Sequence, residues 1–159
     1  MGLSLKSRLS GSKAKETSML SAIESQEDVS DLLLIFVDIW SAEAIYDIFS
    51  LLQNATCLLV KNDVTKKVSG YAFYKQDLRS GFTEIVDMGV VSYFRGRGYG
   101  KELVREICDR SDTGVRLYVQ EDNVIARRMY EVLGFAVTVT VPNYYIVGLD
   151  GLRMEWRRP

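Results

Sequence analysis

The amino-acid sequence predicts a single α/β domain with a mixed sheet of seven strands flanked by four helices. The chain has 159 residues, of which 47% are hydrophobic and 26% charged, a balance typical of one domain with an ordinary core. From residue 19 onward the spacing of apolar residues changes repeatedly between two, the period of a strand, and 3.6, the period of a helix. The resulting order of elements is βααβββαβαββ.

The domain is predicted to begin with a strand and two helices. Residues 18–24 have the pattern of a short strand. The apolar spacing predicts a helix over 26–40, with Asp28 and Ser30 marking its entry. Ser41 then serves as the predicted N-cap of a second helix, which carries its apolar residues on one face.

Three strands are predicted to follow these helices. Residues 56–60 and 68–75 are expected to pair in antiparallel fashion, because Asn62 and Asp63 supply a turn between them. Residues 84–91 continue as a further apolar strand.

The second half of the domain alternates helices and strands before a final strand pair. The helix predicted over 99–109 has one apolar stripe and should pack against the sheet. In the strand predicted over 115–120, alternation puts Tyr118 on the face away from the core. A helix over 124–133 ends at Gly134. The last two strands are expected at 136–141 and 151–156.

Residues 1–18 are predicted to be a flexible basic arm ahead of one domain that spans 19–159. The first fifteen residues contain four basic side chains, several serines and no acidic side chain, which is the composition of a solvated segment. The rest of the chain keeps 16 basic residues against 21 acidic ones. This mild negative charge fits a cationic partner and argues against a nucleic-acid partner.

The apolar segments are too short to cross a membrane. The longest run covers only residues 32–37, whereas a spanning helix needs about 20 apolar residues. The first 18 residues also lack the apolar stretch of a secretion signal. We therefore expect a cytoplasmic protein with no membrane partner, either a monomer or a homodimer.

The chain contains no histidine, which excludes several kinds of site. Ser-His-Asp and Cys-His nucleophiles, and zinc sites built on histidine, cannot form. Cys57 and Cys108 are too far apart in sequence for a CxxC pair and are expected to be reduced core residues. Acid–base chemistry must then use carboxylates, phenols, amines, thiols or water, and no metal is expected.

The segment Arg95-Gly-Arg-Gly-Tyr-Gly100 carries the strongest functional information. It follows an apolar strand and precedes an amphipathic helix. Alternating glycines expose successive backbone N–H groups, and the start of the helix adds unpaired N–H donors and the positive end of a dipole. Arg95 and Arg97 add positive charge. This pattern predicts a cradle for a diphosphate.

Two common phosphate-binding motifs do not fit this segment. A P-loop requires Ser or Thr after Gly-Lys, but Gly100-Lys101 is followed by Glu102. The dinucleotide motif GxGxxG requires a third glycine at position 103, which is Leu103.

The glycine segment resembles the [Gln/Arg]-x-x-Gly-x-[Gly/Ala] loop of the GCN5-related N-acetyltransferases (GNAT), which bind the diphosphate of acetyl-coenzyme A. Two further motifs follow at the family's spacing: a strand that ends near Asn123, and the helix Ala126-x3-Tyr130-x3-Gly134-Phe135. The resemblance covers residues 19–156. It implies the GNAT fold, in which the fourth and fifth strands splay apart and acetyl-CoA lies between them.

The resemblance also implies which residues bind acetyl-CoA. They are Val90, Val91, Arg95, Gly96, Arg97, Gly98, Tyr99, Gly100, Asn123 and Tyr130. Tyr130 is expected to protonate the departing thiolate, and a backbone N–H near Val90 to face the thioester oxygen. Asn123 could also be no more than the N-cap of the last helix.

Three further groups of residues are implied to act on the acceptor. Glu84 aligns with the general base of histone acetyltransferases in that family, and Tyr118 could orient a catalytic water or line the acceptor site. Trp40, Tyr144 and Tyr145 resemble residues that surround the substrate in protein N-terminal acetyltransferases, including the bacterial enzymes that modify ribosomal proteins.

The sequence therefore indicates an acetyl-CoA-dependent N-acetyltransferase whose acceptor is a protein N-terminal α-amine. Three alternatives stay open: a small-amine acetyltransferase of the polyamine type, a lysine acetyltransferase, and a CoA-binding module without catalytic activity. A closed groove rimmed by tyrosines would favour a peptide N-terminus, and a more open, acidic one would favour a polyamine.

Overall fold

The computed structural model describes residues 18–40 and 45–159, in which one twisted sheet carries helices on both faces. The strands are β1 (Ser18–Ser21), β2 (Thr56–Asn62), β3 (Val68–Gln76), β4 (Thr83–Val90), β5 (Gly114–Gln120), β6 (Ala136–Ile146) and β7 (Leu149–Arg157). The helices are α1 (Gln26–Ile39), α2 (Ile45–Asn54), α3 (Tyr99–Arg110) and α4 (Val124–Val132), with a 3₁₀ turn at Ser92–Phe94. The predicted order of elements is confirmed.

The sheet divides between its fourth and fifth strands, as the resemblance implied. Its strand order is β1-β2-β3-β4-β5-β7-β6, and β4–β5 is the parallel pair within it. This pair is in register only from Thr83 opposite Val115 to Ile85 opposite Leu117. Beyond that point the two strands are no longer paired. The gap leaves backbone groups on both strands without a neighbouring strand.

Hydrophobic side chains form one core on each face of the sheet. The core on the α3–α4 face includes Leu103, Ile107 and Leu117, all almost completely buried. The core on the α1–α2 face includes Phe36 and Tyr71. In β5 the residues at 115, 117 and 119 are buried and those between them are not, so Tyr118 points away from the α3–α4 core as predicted.

The two cysteines lie on opposite faces of the sheet and are both unpaired, as expected. Cys108 belongs to the α3–α4 core, and Cys57 packs against the α1–α2 core. Burial raises the pKa of each thiol to about 12, so both are protonated at neutral pH.

The helix α1 begins at Gln26 as predicted, but its N-cap is a residue that the prediction did not name. Ser25, and not Asp28 or Ser30, is the N-cap: its Oγ accepts the backbone N–H of Asp28 at 3.1 Å. Asp28 is buried, accepts the N–H of Glu24 at 3.0 Å, and forms an ion pair with Lys61 at 2.8 Å. The predicted N-cap of α2, Ser41, and the predicted basic arm up to residue 17 lie outside the described residues.

The last two strands are longer than predicted and form a hairpin with a large bulge. Val141 pairs with Gly151 and Ile146 with Leu149, so residues 142–145 of β6 stand opposite Asp150 alone. The bulge was not expected, because strand alternation gives no indication of it. Tyr144 and Tyr145 lie within this bulge and are part of β6.

None of the helices in the described part of the chain combines the length and hydrophobicity needed to traverse a lipid bilayer.

Candidate active site

The loop between β4 and α3 adopts the conformation that its glycines allow. Gly96 and Gly98 have φ values of +75° and +97°, in the left-handed region that favours glycine. A Cβ at either position would meet nothing within 4 Å, so the space beside the loop is open. The N–H of Glu102 donates to the carbonyl of Gly98 at 3.1 Å, and the three preceding N–H groups of α3 have no acceptor within the helix. The loop therefore presents unpaired N–H donors beside open space, which is the geometry that the predicted anion cradle requires.

Gly100 has a different role from the other two glycines. It lies within α3 with an ordinary helical conformation, and a Cβ there would approach Sδ of Met129 to 3.2 Å. A side chain at this position would press against α4. Gly100 therefore permits close packing of α3 on α4 and is not required for a turn.

The two arginines of the loop are held differently. Nε of Arg95 donates to the carbonyl of Val90 at 3.0 Å, which fixes the start of the loop to the end of β4. The guanidinium of Arg97 lies 4.9 Å from the ring centroid of Tyr93 and 5.3 Å from that of Phe94. Arg95 lines the groove described next, and Arg97 does not.

A groove of about 820 Å³ opens beside this loop. It is lined by Ile39 and Trp40 at the end of α1, by residues 88–90 where β4 no longer pairs with β5, by the glycine loop with the start of α3, and by α4. The groove brings together nine of the predicted site residues: Trp40, Val90, Arg95, Gly96, Gly98, Tyr99, Gly100, Asn123 and Tyr130. The other six predicted site residues do not line the groove: Glu84, Val91, Arg97, Tyr118, Tyr144 and Tyr145.

The backbone of Val90 faces the gap, whereas that of Val91 is already engaged. The N–H of Val91 donates to the carbonyl of Ser69 at 3.0 Å. Because partners alternate along an antiparallel pair, the N–H and the carbonyl of Val90 then point away from β3. The carbonyl accepts Arg95, which leaves the Val90 N–H directed towards the gap.

Tyr130 and Asn123 line the α4 side of the groove. The Tyr130 hydroxyl is 3.1 Å from Sδ of Met88 and donates to it. Burial raises the pKa of Tyr130, so its phenol keeps its proton at neutral pH. Asn123 is the N-cap of α4, because its Oδ1 accepts the N–H of Ala126 at 3.1 Å. The amide nitrogen of Asn123 is not needed for this cap.

Three tyrosines form a cluster on the α1–α2 face. Tyr118 of β5 stacks on Tyr144 with ring centroids 4.5 Å apart and planes 7° from parallel. Tyr145 meets Tyr144 edge-on at 4.9 Å. Gly151 makes room for this arrangement, since a Cβ there would lie 2.7 Å from Tyr144. Burial, with a further contribution from the charges of Tyr144 and Asp87, raises the pKa of Tyr145 to about 12.

Glu84 lies where β4 and β5 are still paired. Its Oε2 accepts Nε of Arg116 at 3.1 Å, and its Oε1 is 3.9 Å from Nζ of Lys75. Arg116 also forms an ion pair with Asp77 at 2.6 Å. The carboxylate of Glu84 is thus held in an ion-pair network before the strands separate.

Asp87 is a candidate site residue that the sequence did not indicate. A β-bulge at Val86 places Asp87 on the same face of β4 as Glu84, because Phe73 pairs with Asp87 while Tyr74 pairs with Ile85. Burial raises the pKa of Asp87, and a hydrogen bond from Tyr71 opposes that shift. Without the bulge, alternation would put this carboxylate in the α3–α4 core.

Comparison with known proteins identifies the family. Residues 26–135 match the Acetyltransferase (GNAT) family. Mycothiol acetyltransferase of Mycobacteroides abscessus is 37% identical over an alignment of 93 positions, and the match covers 55% of this chain and 31% of that protein. The chain thus matches about a third of the length of this curated relative.

Solved structures share the fold at low sequence identity. The ribosomal-protein-S18-alanine N-acetyltransferase of Escherichia coli has a TM-score of 0.69 at 18% identity, covering 89% of this chain and 94% of that chain. NAA60 of Arabidopsis thaliana in complex with acetyl-CoA has a TM-score of 0.70 at 19% identity, covering 89% and 98%. With the family match extending over most of the sequence, the chain belongs to the acetyltransferase (GNAT) family, a family of acyltransferases.

Proposed function

We propose that this protein transfers an acetyl group from acetyl-CoA to a primary amine bound beside it, by direct attack in a ternary complex. The observation that carries the proposal is that one groove of about 820 Å³ is lined both by the glycine loop and by residues 88–90 of β4, where that strand no longer pairs with β5. The cradle suits a diphosphate, since it combines helix N–H donors with open space beside Gly96 and Gly98. Acetyl-CoA supplies the acetyl thioester that the amine attacks.

The residues around the groove divide the work of binding and catalysis. Backbone N–H groups from residue 96 to 101 would hold the diphosphate, with Arg95 adding charge. The Val90 N–H would face the oxygen on which negative charge develops, as an oxyanion donor. Tyr130, which keeps its proton, would donate a hydrogen bond to the sulfur that leaves.

We propose a protein N-terminal α-amine as the acceptor. Support comes from the cluster of Tyr118, Tyr144 and Tyr145, which stands on the α1–α2 face beside the gap, with Trp40 in the lining of the groove. Stacked aromatic rings form a rigid wall that suits the first residue of an extended peptide. The fold similarity to an alanine N-acetyltransferase is consistent with this acceptor but is too distant to carry it.

A small amine is the second candidate acceptor. The curated relative at 37% identity is named for a small-molecule thiol, and Asp87 gives the acceptor face an acidic character that would also suit a polyamine. A lysine side chain and a non-catalytic CoA-binding role are further alternatives.

An acceptor screen with acetyl-CoA separates these possibilities. Short peptides that differ in their first residue should be acetylated, while the same peptides with a blocked α-amine and an internal lysine should not. Faster turnover of polyamines or aminoglycosides than of any peptide would favour the small-amine candidate. Tight binding of CoA in calorimetry without turnover of any amine would contradict the proposed activity and identify a binding module.

A further inference from the structure

A chain of hydrogen bonds links the rim of the groove to a carboxylate. Nε1 of Trp40 donates to the hydroxyl of Tyr71 at 3.0 Å, and that hydroxyl donates to Oδ2 of Asp87 at 2.9 Å. Tyr71 is completely buried, whereas the Trp40 side chain is half exposed and lines the groove. These two hydrogen bonds, one donated by Trp40 directly after α1 and the next by Tyr71 of β3, fix the orientation of the Asp87 carboxylate.

Asp87 lies between the acceptor face and the acetyl-CoA groove. Its neighbours Met88 and Gly89 line the groove, and β4 has already separated from β5 at this point. The negative charge of Asp87 contributes to the raised pKa of both Tyr145 and Tyr130, which belong to the acceptor cluster and to the groove respectively. The carboxylate therefore acts electrostatically on both sides of the gap.

Among the residues that the structure describes, no cation compensates the charge of Asp87. The ionisable groups that face it are Tyr71 from β3, Asp47 from α2, Tyr145 from β6 and Tyr130 from α4. Within residues 18–40 and 45–159, no lysine or arginine forms an ion pair with it. Glu84, in contrast, is paired with Arg116. Of the two carboxylates on this face of β4, Asp87 is the one whose charge is not neutralised.

We propose that Asp87 accepts the proton that the acceptor amine must lose before it attacks, with Tyr71 and Trp40 as positioning residues. The proposal rests on the proposed function. At neutral pH a primary amine is largely an ammonium ion. One N–H bond of that ion breaks, an O–H bond forms on the Asp87 carboxylate, and the lone pair stays on the nitrogen. Water then removes the proton from Asp87.

The environment of Asp87 suits this task. Burial raises its pKa and so makes the carboxylate a better base than an exposed aspartate, and the charge of Asp47 acts in the same direction. The Tyr71 hydroxyl stabilises the ionised form and keeps it available. Asp87 replaces Glu84, the base implied by family resemblance, because the Glu84 carboxylate is held by Arg116.

The test compares pH–rate profiles of kcat/KM on an amine that the acceptor screen identifies. We expect D87N to reduce kcat/KM by about 100-fold or more and to remove the acidic limb of the profile. We expect Y71F to move that limb to higher pH, since it removes a hydrogen bond that lowers the pKa of Asp87. D47N should move it to lower pH, since it removes a nearby negative charge. E84Q should keep the limb at the wild-type position.

A second measurement uses the free protein and needs no turnover. The chain has two tryptophans, so in a W156F background the fluorescence reports Trp40 alone. Protonation of Asp87 should change this fluorescence through Tyr71, with a midpoint above the ordinary carboxyl value of 3.8, and D87N should abolish the change. Calorimetry with CoA should give the same affinity for D87N and wild type, as a control for an intact groove.

The outcomes are distinguishable. If the enzyme is active and the acidic limb of its pH–rate profile persists in D87N but disappears in E84Q, this inference is refuted and the proposed function is not. The same fluorescence titration in D87N and its parent also refutes it. A wild-type protein that acetylates no amine refutes the proposed function, and this inference with it.

Discussion

The anion cradle predicts a specific penalty for a methyl group at position 98. Gly98 has φ +97°, where an L-residue is strained by about 1–2 kcal/mol. No protein atom within 4 Å would clash with the new Cβ, so the effect of G98A is conformational. The free loop can relieve this strain by leaving the left-handed conformation, but the bound loop must regain it. At 1.4 kcal/mol for each tenfold change, we expect the Kd of acetyl-CoA to rise about 5- to 30-fold.

Isothermal titration calorimetry measures this change, with two controls. Gly148, in the turn between β6 and β7, also has a positive φ, +85°, and open space around its Cβ position. G148A therefore introduces a similar strain away from the cradle and should leave the Kd of acetyl-CoA unchanged. S-acetylpantetheine lacks the diphosphate, and its Kd should be the same for G98A and wild type.

Two results would refute the cradle. In the first, G98A binds acetyl-CoA as tightly as wild type does. In the second, G98A weakens acetyl-CoA and S-acetylpantetheine by the same factor, because the loss would then have no connection with the diphosphate.

Two further predictions concern the tyrosine cluster and the ion pairs of Arg116, which lies where β4 and β5 are still paired. G151A places a Cβ 2.7 Å from Tyr144 and should displace that ring from Tyr118. Because ring stacking contributes about 0.5–1.5 kcal/mol, we expect the KM for the acceptor to rise about 2- to 12-fold. The Kd of acetyl-CoA should not change, and an unaltered KM would contradict the role of the cluster. R116M removes the hydrogen-bonded ion pairs with Glu84 and Asp77 and should lower Tm by about 2–4 °C for a loss of about 1 kcal/mol. Hydrogen bonds from Ser80, the Arg79 backbone and Arg116 lower the pKa of Asp77 to about 2, so this carboxylate stabilises the fold above pH 3.8 and loses that effect as pH falls towards 2. The Tm difference between R116M and wild type should therefore shrink over that pH range, and a constant difference would show that the network does not act through its carboxylates.

The order of elements and the backbone conformation of the glycine loop could be predicted because they depend on local chemistry. Gly96 and Gly98 are recognisable as glycines that permit a positive φ before a helix, and the apolar period of β5 places Tyr118 on the outer face. Each of these features is decided by residues that are neighbours in the chain.

Two of the bulges in the sheet affect the candidate site, and neither could be predicted. An extra residue at Val86 moves Asp87 to the α1–α2 face, and the residues inserted at 142–145 place Tyr144 over Tyr118. Strand alternation assumes regular pairing, whereas a bulge depends on contacts between strands. The ion pair that engages Glu84 escaped prediction for the same reason, because Arg116 lies on a different strand.

The division of the sheet separates the residues proposed to bind acetyl-CoA from the tyrosines proposed to face the acceptor. The residues proposed to bind the diphosphate of acetyl-CoA come from the segment between the end of β4 and the start of α3. All three clustered tyrosines, which face the acceptor in the proposed assignment, come from β5 and β6, and neither strand contributes a residue to the glycine loop. An exchange of the β6–β7 segment is therefore expected to change the preference for the amine and to leave the Kd of acetyl-CoA unchanged, which would make that segment a unit for diversification and for engineering.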